Sequence, residues 1–236
     1  MTEELPATDS YLREAKATVV DHHPEGVVLD RTVFYARGGG QPGDIGVLES
    51  DVARFAVEDT YRSQGVVVHR MGDERPPVGT LVEARIDWDR RYHLMRTHTA
   101  LHALTAIIWR GFGAKATGSN MTPGEARIDF ELPSMSVEFG QMVEDQLNAA
   151  LAQDHVTRIH WMDRAEAIAD PDLIRTKVNL IPESITTLRI VDIGDLDRQA
   201  DGGTHVRSTA EVGAVRVLKT ESKGKANKRM RIGIPQ

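Results

Sequence analysis

A change of hydrophobic period near residue 88 sets the strongest limit on what this chain can fold into. Before it, short β-branched runs recur at close spacing, at residues 17–20, 26–29, 32–35, 46–49, 55–59, 65–70 and 81–86. Turn signals separate them, above all Gly38-Gly39-Gly40, Gln41-Pro42-Gly43-Asp44 and Pro76-Pro77. Many short strands broken in this way predict a β-barrel-like domain over residues 1–88. From Asp89 to Trp109 the period lengthens: Leu94, Leu101, Leu104, Ile107 and Ile108 fall at spacings of three, four and seven. That pattern predicts a helix capped by Asp89 and ended by Gly111 and Gly113.

The rest of the chain mixes the two periods. Strands are expected at 126–131, 157–162, 187–192, 214–220 and 229–234, with a helix at 137–154 capped by Ser134 or Ser136 and a short one near Ala165. Residues 89–236 therefore read as an α+β domain whose strands pair antiparallel.

Two pairs of potential ligands stand out against this background. His98 and His102 sit four apart in the predicted helix, where positions i and i+4 lie one above the other on one face and can reach a single ion. Asp201 and His205 are also four apart, and bracket Gly202 and Gly203 in a turn. Together they make a potential four-ligand metal site. Taken singly, each pair has an ordinary structural explanation: two helix-flank histidines, and a β-turn. The chain has no cysteine, so disulfides and thiolate ligands are excluded and a metal would be held by nitrogen and oxygen alone.

Composition limits the partners. A hydrophobic fraction of 40% and a charged fraction of 27% describe ordinary globular material, and no apolar run is long enough to span a bilayer. The acidic start, Met1-Thr2-Glu3-Glu4, differs from a secretory signal, which places the chain in the cytoplasm. A net charge of -6 argues against indiscriminate coating of nucleic acid, and neither DNA nor a membrane is implied. Charge is nevertheless uneven: between Arg216 and Arg231 seven Lys or Arg residues face one acid, Glu221, which marks a local docking point for a polyanion.

Several ordered segments resemble the stand-alone alanyl-tRNA editing proteins, the AlaX family, which are similar to the editing domain of alanyl-tRNA synthetase. They are Phe34-Tyr35-Ala36-Arg37-Gly38-Gly39-Gly40-Gln41-Pro42-Gly43-Asp44, Arg96-Thr97-His98-Thr99-Ala100-Leu101-His102, Gly118-Ser119-Asn120 with Arg127-Ile128-Asp129-Phe130, Gly202-Gly203-Thr204-His205-Val206, and Leu218-Lys219-Thr220-Glu221-Ser222-Lys223-Gly224-Lys225. The resemblance implies a hydrolase that removes serine, and in some members glycine, from mischarged alanine tRNA, with zinc held by HxxxH and CxxxH motifs. On that basis His98, His102, Asp201 and His205 would hold one divalent ion. Gly39, Gly40, Thr97, Leu101, Gly203 and Thr204 would line the substrate pocket, with Gln41 hydrogen-bonding the substrate. The acceptor stem and aminoacyl-adenosine end would meet Lys223, Lys225, Lys228, Arg229 and Arg231. Asp129 would accept a hydrogen bond from a ligand imidazole, or else pair with Arg127 or with solvent.

Two departures qualify these expectations. Asp201 stands where the family motif has cysteine, which admits manganese, iron, cobalt or nickel beside zinc. Leu101 stands where the synthetase editing domain has threonine, close to the substrate amino acid. The rival readings are a tRNA-binding module whose metal site has decayed at position 201, and a hydrolase of other small esters.

Overall fold

A computed structural model of the chain describes residues 2–175, 185–224 and 227–235. It divides into two units, Met1–Tyr92 and His93–Gln236.

The first unit is built from β1 (Glu3–Glu4), β2 (Glu14–His23), β3 (Gly26–Leu29), β4 (Arg31–Thr32), β5 (Gly46–Glu49), β6 (Arg54–Val57), β7 (Asp59–Ser63), β8 (Val66–Arg70) and β9 (Leu81–Ile86). Seven of these form one antiparallel sheet in the order β6-β5-β9-β2-β3-β8-β7, while β1 and β4 make a short parallel ladder. The long strand β2 serves both halves. Its first part, through Thr18, pairs with β9, and after an irregularity between Val19 and Asp21 its second part pairs with β3.

The β-barrel-like expectation is corrected here, because the sheet is open. Its edges, β6 and β7, are consecutive in sequence and joined by Glu58 alone, and they do not pair. An antiparallel hairpin uses a loop of at least about two residues, so a one-residue link carries the chain onward instead of folding it back. Val19, Val27, Leu29, Phe34, Leu48 and Val82 lead the apolar core.

At the glycine turn, Gly38 and Gln41 exchange backbone hydrogen bonds of 3.1 and 2.9 Å across Gly39 and Gly40. Those two residues have φ of 57° and 86°. Positive φ at both central positions is the demand of a type I′ turn and explains the glycines there.

Helix α1 (Trp88–Phe112) begins earlier than the period predicts. Its cap is Asp87, not Asp89: the Arg90 amide donates to Asp87 Oδ1 at 3.1 Å. At its other end Gly113, with φ of 61°, returns its amide to the Trp109 carbonyl. The first turn of α1 holds Arg91 wholly inside the first unit. Its guanidinium bonds the Asp44 carboxylate through Nε and Nη2 and also donates to the carbonyls of Ser10 (2.9 Å) and Val33 (2.8 Å). Asp44 Oδ2 additionally accepts the Tyr35 amide at 2.6 Å. The charge pair is therefore saturated with hydrogen bonds, the condition under which burial of ions is tolerated.

His69 is a further fully buried polar group of this unit. The Thr32 hydroxyl lies 2.7 Å from its Nε2 and the Val27 carbonyl 3.3 Å from its Nδ1. Burial pushes its pKa down to about 4. The folded chain thus keeps the ring neutral while the unfolded chain protonates it near pH 6.5, so the unfolded state binds more protons between those values and stability falls as pH drops from 6.5 towards 4. Urea midpoints measured across that window should fall more steeply for the native chain than for His69→Gln. Equal slopes would contradict the assignment.

The second unit continues with β10 (Ala116–Thr122), β11 (Glu125–Phe130), α2 (Val137–Leu151), β12 (Thr157–Asp163), α3 (Arg164–Ala169), β13 (Thr187–Ile193), β14 (Asp197–Ala200), β15 (Arg216–Ser222) and β16 (Lys228–Gly233). Among the described residues they form two antiparallel sheets, β10-β11-β16-β15 and β12-β13-β14. Ser136 caps α2 by accepting the Phe139 amide. Alternation along the first sheet turns Ile128, Met230 and Ile232 inward. The middle of α1 is enclosed on all sides: every residue from Thr97 to Leu104 is buried. Such a helix is set by its surroundings more than by one apolar stripe, and its polar residues there need partners.

Candidate metal centre

His98 and His102 stand on successive turns of α1 with ring centroids 5.2 Å apart. His205 stacks on His98 at 4.4 Å and lies 4.6 Å from His102. Asp201 completes the group, its Oδ1 3.7 Å from His98 Nε2 and its Oδ2 3.1 Å from His205 Nε2. One donor atom from each of the four lies within 4.8 Å of the other three. Ligands at about 2.0–2.2 Å around a tetrahedral ion stand about 3.3–3.6 Å from one another, so the donor set fits a divalent cation after a small contraction.

The loop that presents Asp201 and His205 is fixed from several sides. The Asp201 amide donates to the Arg189 carbonyl (3.1 Å), and Arg189 Nη1 donates to the Asp201 carbonyl (2.8 Å). Asp201 Oδ2 also accepts the Gly203 amide at 2.6 Å, closing an Asx turn that points the carboxylate back over the loop. Gly203, Thr204 and Val206 are buried around His205. The Val206 amide donates to Thr99 Oγ1 (3.3 Å), and the same hydroxyl lies 3.2 Å from His205 Nδ1, which leaves Nε2 turned towards the other donors.

His102 is oriented by a residue that the sequence reading missed. Its Nδ1 lies 2.9 Å from Oδ2 of Asp197, a carboxylate with no exposed surface. Arg175 Nη1 donates to the other oxygen at 2.6 Å, while Gln199 Nε2 donates to Asp197 Oδ2 (2.8 Å) and to Thr105 Oγ1 (3.1 Å). A carboxylate on the outer nitrogen of a ligand histidine sets tautomer and ring orientation together. The available signal was strand parity: Asp197, Gln199 and Asp201 share one face of an extended run. That run is too polar to announce a strand.

Burial is the largest influence on all three imidazoles and opposes their charged forms. It pushes His98 down to about 4 and His205 well below the ordinary histidine value. At His102 burial is outweighed by the hydrogen bond and charge of Asp197, and the pKa is raised. Burial opposes ionisation of Asp201 too, but the neighbouring imidazoles, His98 first, hold it well below the carboxylate range. The neutral rings of His98 and His205 and the ionised Asp201 are the protonation states that a cation requires, whereas the raised pKa of His102 means that binding there would have to displace a proton.

The remaining sequence-selected residues fall in several places. Leu101 is buried beside His102, and Thr97 Oγ1 donates to the His93 carbonyl (2.7 Å) while accepting the Gly124 amide (3.1 Å). Gln41, Gly39 and Gly40 belong to the type I′ turn of the first unit, where Gln41 is buried. Asp129 serves no imidazole. Its carboxylate accepts Nε and Nη2 of Arg229 at 2.6 and 2.7 Å, with Arg127 at 3.9 Å. Within the basic strip, Lys228 is buried with Nζ donating to the Gly224 carbonyl (2.7 Å), Arg229 is committed to Asp129, and Arg231 and Lys223 are exposed. Lys225 lies outside the described residues.

Comparison with known proteins adds independent evidence. Residues 8–90 match the family model of class II (A) tRNA synthetases, and residues 188–231, which include Asp201 and His205, match the threonyl and alanyl tRNA synthetase second additional domain. An alanyl-tRNA editing protein AlaX-M of Saccharolobus solfataricus is 37% identical over 235 residues, 98% of each chain. The AlaX-M of Methanosarcina mazei is 37% identical over 240 residues, covering 98% of this chain and 95% of its own. An alanine–tRNA ligase of Pyrobaculum aerophilum is 37% identical over 93% of this chain, but over only 25% of the ligase. Identity of this order along nearly the whole length, shared with stand-alone proteins more fully than with the ligase, shows that the chain belongs to the alanyl-tRNA editing protein family, whose members are hydrolases of aminoacyl-tRNA ester bonds.

Proposed function

We propose that this chain removes serine in trans from mischarged alanine tRNA, with glycine as a second substrate, and that one divalent metal ion serves the reaction. The observation that carries the proposal is the buried quartet of His98, His102, Asp201 and His205, with Asp197 behind His102. A bound ion in such a site orients the ester, polarises its carbonyl or draws the pKa of bound water towards about 7. Zinc fits the donors, and manganese, iron, cobalt or nickel become competitive because no thiolate is present.

The chain's own residues set up that chemistry. Asp197 keeps the His102 proton on Nδ1 and frees Nε2, Thr99 holds the His205 ring at Nδ1 so that Nε2 faces the other donors, and the Asx turn holds the Asp201 carboxylate against its two imidazoles. Gln41 enters this reading through the family resemblance alone, as a donor to the substrate hydroxyl; a site built around a hydroxyl rejects a substrate that lacks it. We place the reaction in the cytoplasm, where charged tRNA is used; no helix among the described residues is long and apolar enough to cross a membrane.

Deacylation assays on Ser-tRNA(Ala), Gly-tRNA(Ala) and Ala-tRNA(Ala), with and without a chelator, test the proposal. Hydrolysis of the first two, lost on chelation and restored by metal, is expected. Failure of metal-replete protein to deacylate any of them would favour the decayed tRNA-binding module.

A further inference from the structure

We infer that the open face of the β10-β11-β16-β15 sheet is a docking surface for the phosphate backbone of the tRNA, through a cross-strand row made by Arg127, Arg231 and Lys219. The inference rests on the deacylase reading and adds where the polyanion sits.

Register creates the row. Arg127 of β11 lies opposite Arg231 of β16, and Arg231 lies opposite Lys219 of β15. Residues directly opposed on neighbouring strands have Cβ atoms about 4.5–5.5 Å apart, and like charges in that position are destabilising. The chain carries 35 acidic residues against 29 basic ones, yet sets three cations side by side. The opposition of like charges costs folding something that neighbouring carboxylates offset only in part, and a bound polyanion would offset the rest.

The adjoining row does not neutralise it. There Asp129, Arg229 and Glu221 stand opposite one another. Asp129 is taken by both nitrogens of Arg229, with Arg127 at 3.9 Å, while Glu221 is shared by Lys219 at 2.9 Å and Arg231 at 3.0 Å. Four cations thus divide two carboxylates. The surplus is felt locally: hydrogen bonds from Lys219 and then Arg231 pull the Glu221 pKa down to about 2.

The row is open to an incoming strand, since the side chains of Arg127, Arg231 and Lys219 are 36%, 45% and 61% exposed. It is also tied to the metal centre. The β10–β11 turn is anchored by the Gly124 amide to Thr97, the residue before His98, and Arg127 lies only three residues along the strand from that turn, about 10 Å. Arginine forks match phosphate oxygens bidentately, and a stack of strands spaces them for successive contacts.

The test compares R127Q/K219Q/R231Q with K16Q/R54Q/R158Q, which removes the same charge from exposed positions elsewhere. Affinity for uncharged tRNA(Ala) is measured against salt, together with KM and kcat on Ser-tRNA(Ala), metal content and thermal midpoint. For the first variant affinity should fall about tenfold or more at low salt, and the log–log salt slope should become shallower by about 2. KM should rise with kcat, metal content and thermal midpoint retained, while the control stays close to the native chain. If the triple variant folds poorly, R127Q and K219Q singly should each weaken binding about threefold. Native affinity and slope in the variants, alongside intact deacylation, would overturn the docking face and leave the deacylase reading standing. An equal loss in the control would also overturn it. A native chain that neither binds nor deacylates tRNA would remove both.

Discussion

Asparagine in place of Asp197 is expected to weaken divalent-metal binding by about 10- to 100-fold, the usual consequence of losing the carboxylate behind a ligand histidine. Asp197 is not one of the four clustered donors and stands behind His102. It accepts from His102 Nδ1, Arg175 Nη1 and Gln199 Nε2 together, so the substitution removes a buried charge that three donors converge on. It also leaves the Arg175 guanidinium, itself buried, without its counter-charge, which adds a general destabilisation to the loss. The double variant R175Q/D197N separates the two: it removes the stranded cation while keeping His102 without its carboxylate. Competition against a chromogenic chelator should show both variants weakened. Metal binding restored to the native level in the double variant would show that Asp197 serves Arg175 and not His102.

Replacing Arg91 with methionine should cost about 3–5 kcal/mol of stability, because it strands the buried Asp44 carboxylate. The same guanidinium ties the first turn of α1 to the carbonyls of Ser10 and Val33, so three separate stretches of the first unit lose an anchor at once. Urea unfolding measures the loss. Adding Asp44→Asn to Arg91→Met should recover part of it, since no uncompensated charge remains. A loss below about 1 kcal/mol in the single variant would mean that the pair is hydrated and behaves as surface pairs do.

Legibility of the fold followed the strength of the local pattern. Strands at 26–29, 46–49 and 81–86 coincide with β3, β5 and β9, since each is an apolar run with a turn at its ends. Four others, β1, β7, β10 and β14, were not expected; of these β10 contains Gly118-Ser119-Asn120 and β14 is Asp197–Ala200, both held by ladder pairing with a neighbour and not by apolar residues of their own. Period alone could not distinguish an open sheet from a closed one, because that depends on whether β6 and β7 pair, and the one-residue link at Glu58 decides it.

At the site, the helix and the glycine turn each placed two donors at readable spacing, and the structure brings all four together. Asp197 escaped because its partner is 95 residues away in sequence. The basic strip misled in a different way. Adjacency in sequence grouped Lys228 and Arg229 with Arg231, but strand alternation buries the first, ion pairing commits the second, and register puts Arg127 beside the third. Charge that is contiguous in sequence need not be contiguous on a sheet.

The most direct test of the metal centre is elemental analysis of the purified chain after loading and desalting, beside His102→Ala and Asp201→Ala. The account predicts about one divalent ion per native chain, none retained by the histidine variant, and a large loss from the aspartate variant. No ion in the native chain, or native metal content in both variants, would contradict it.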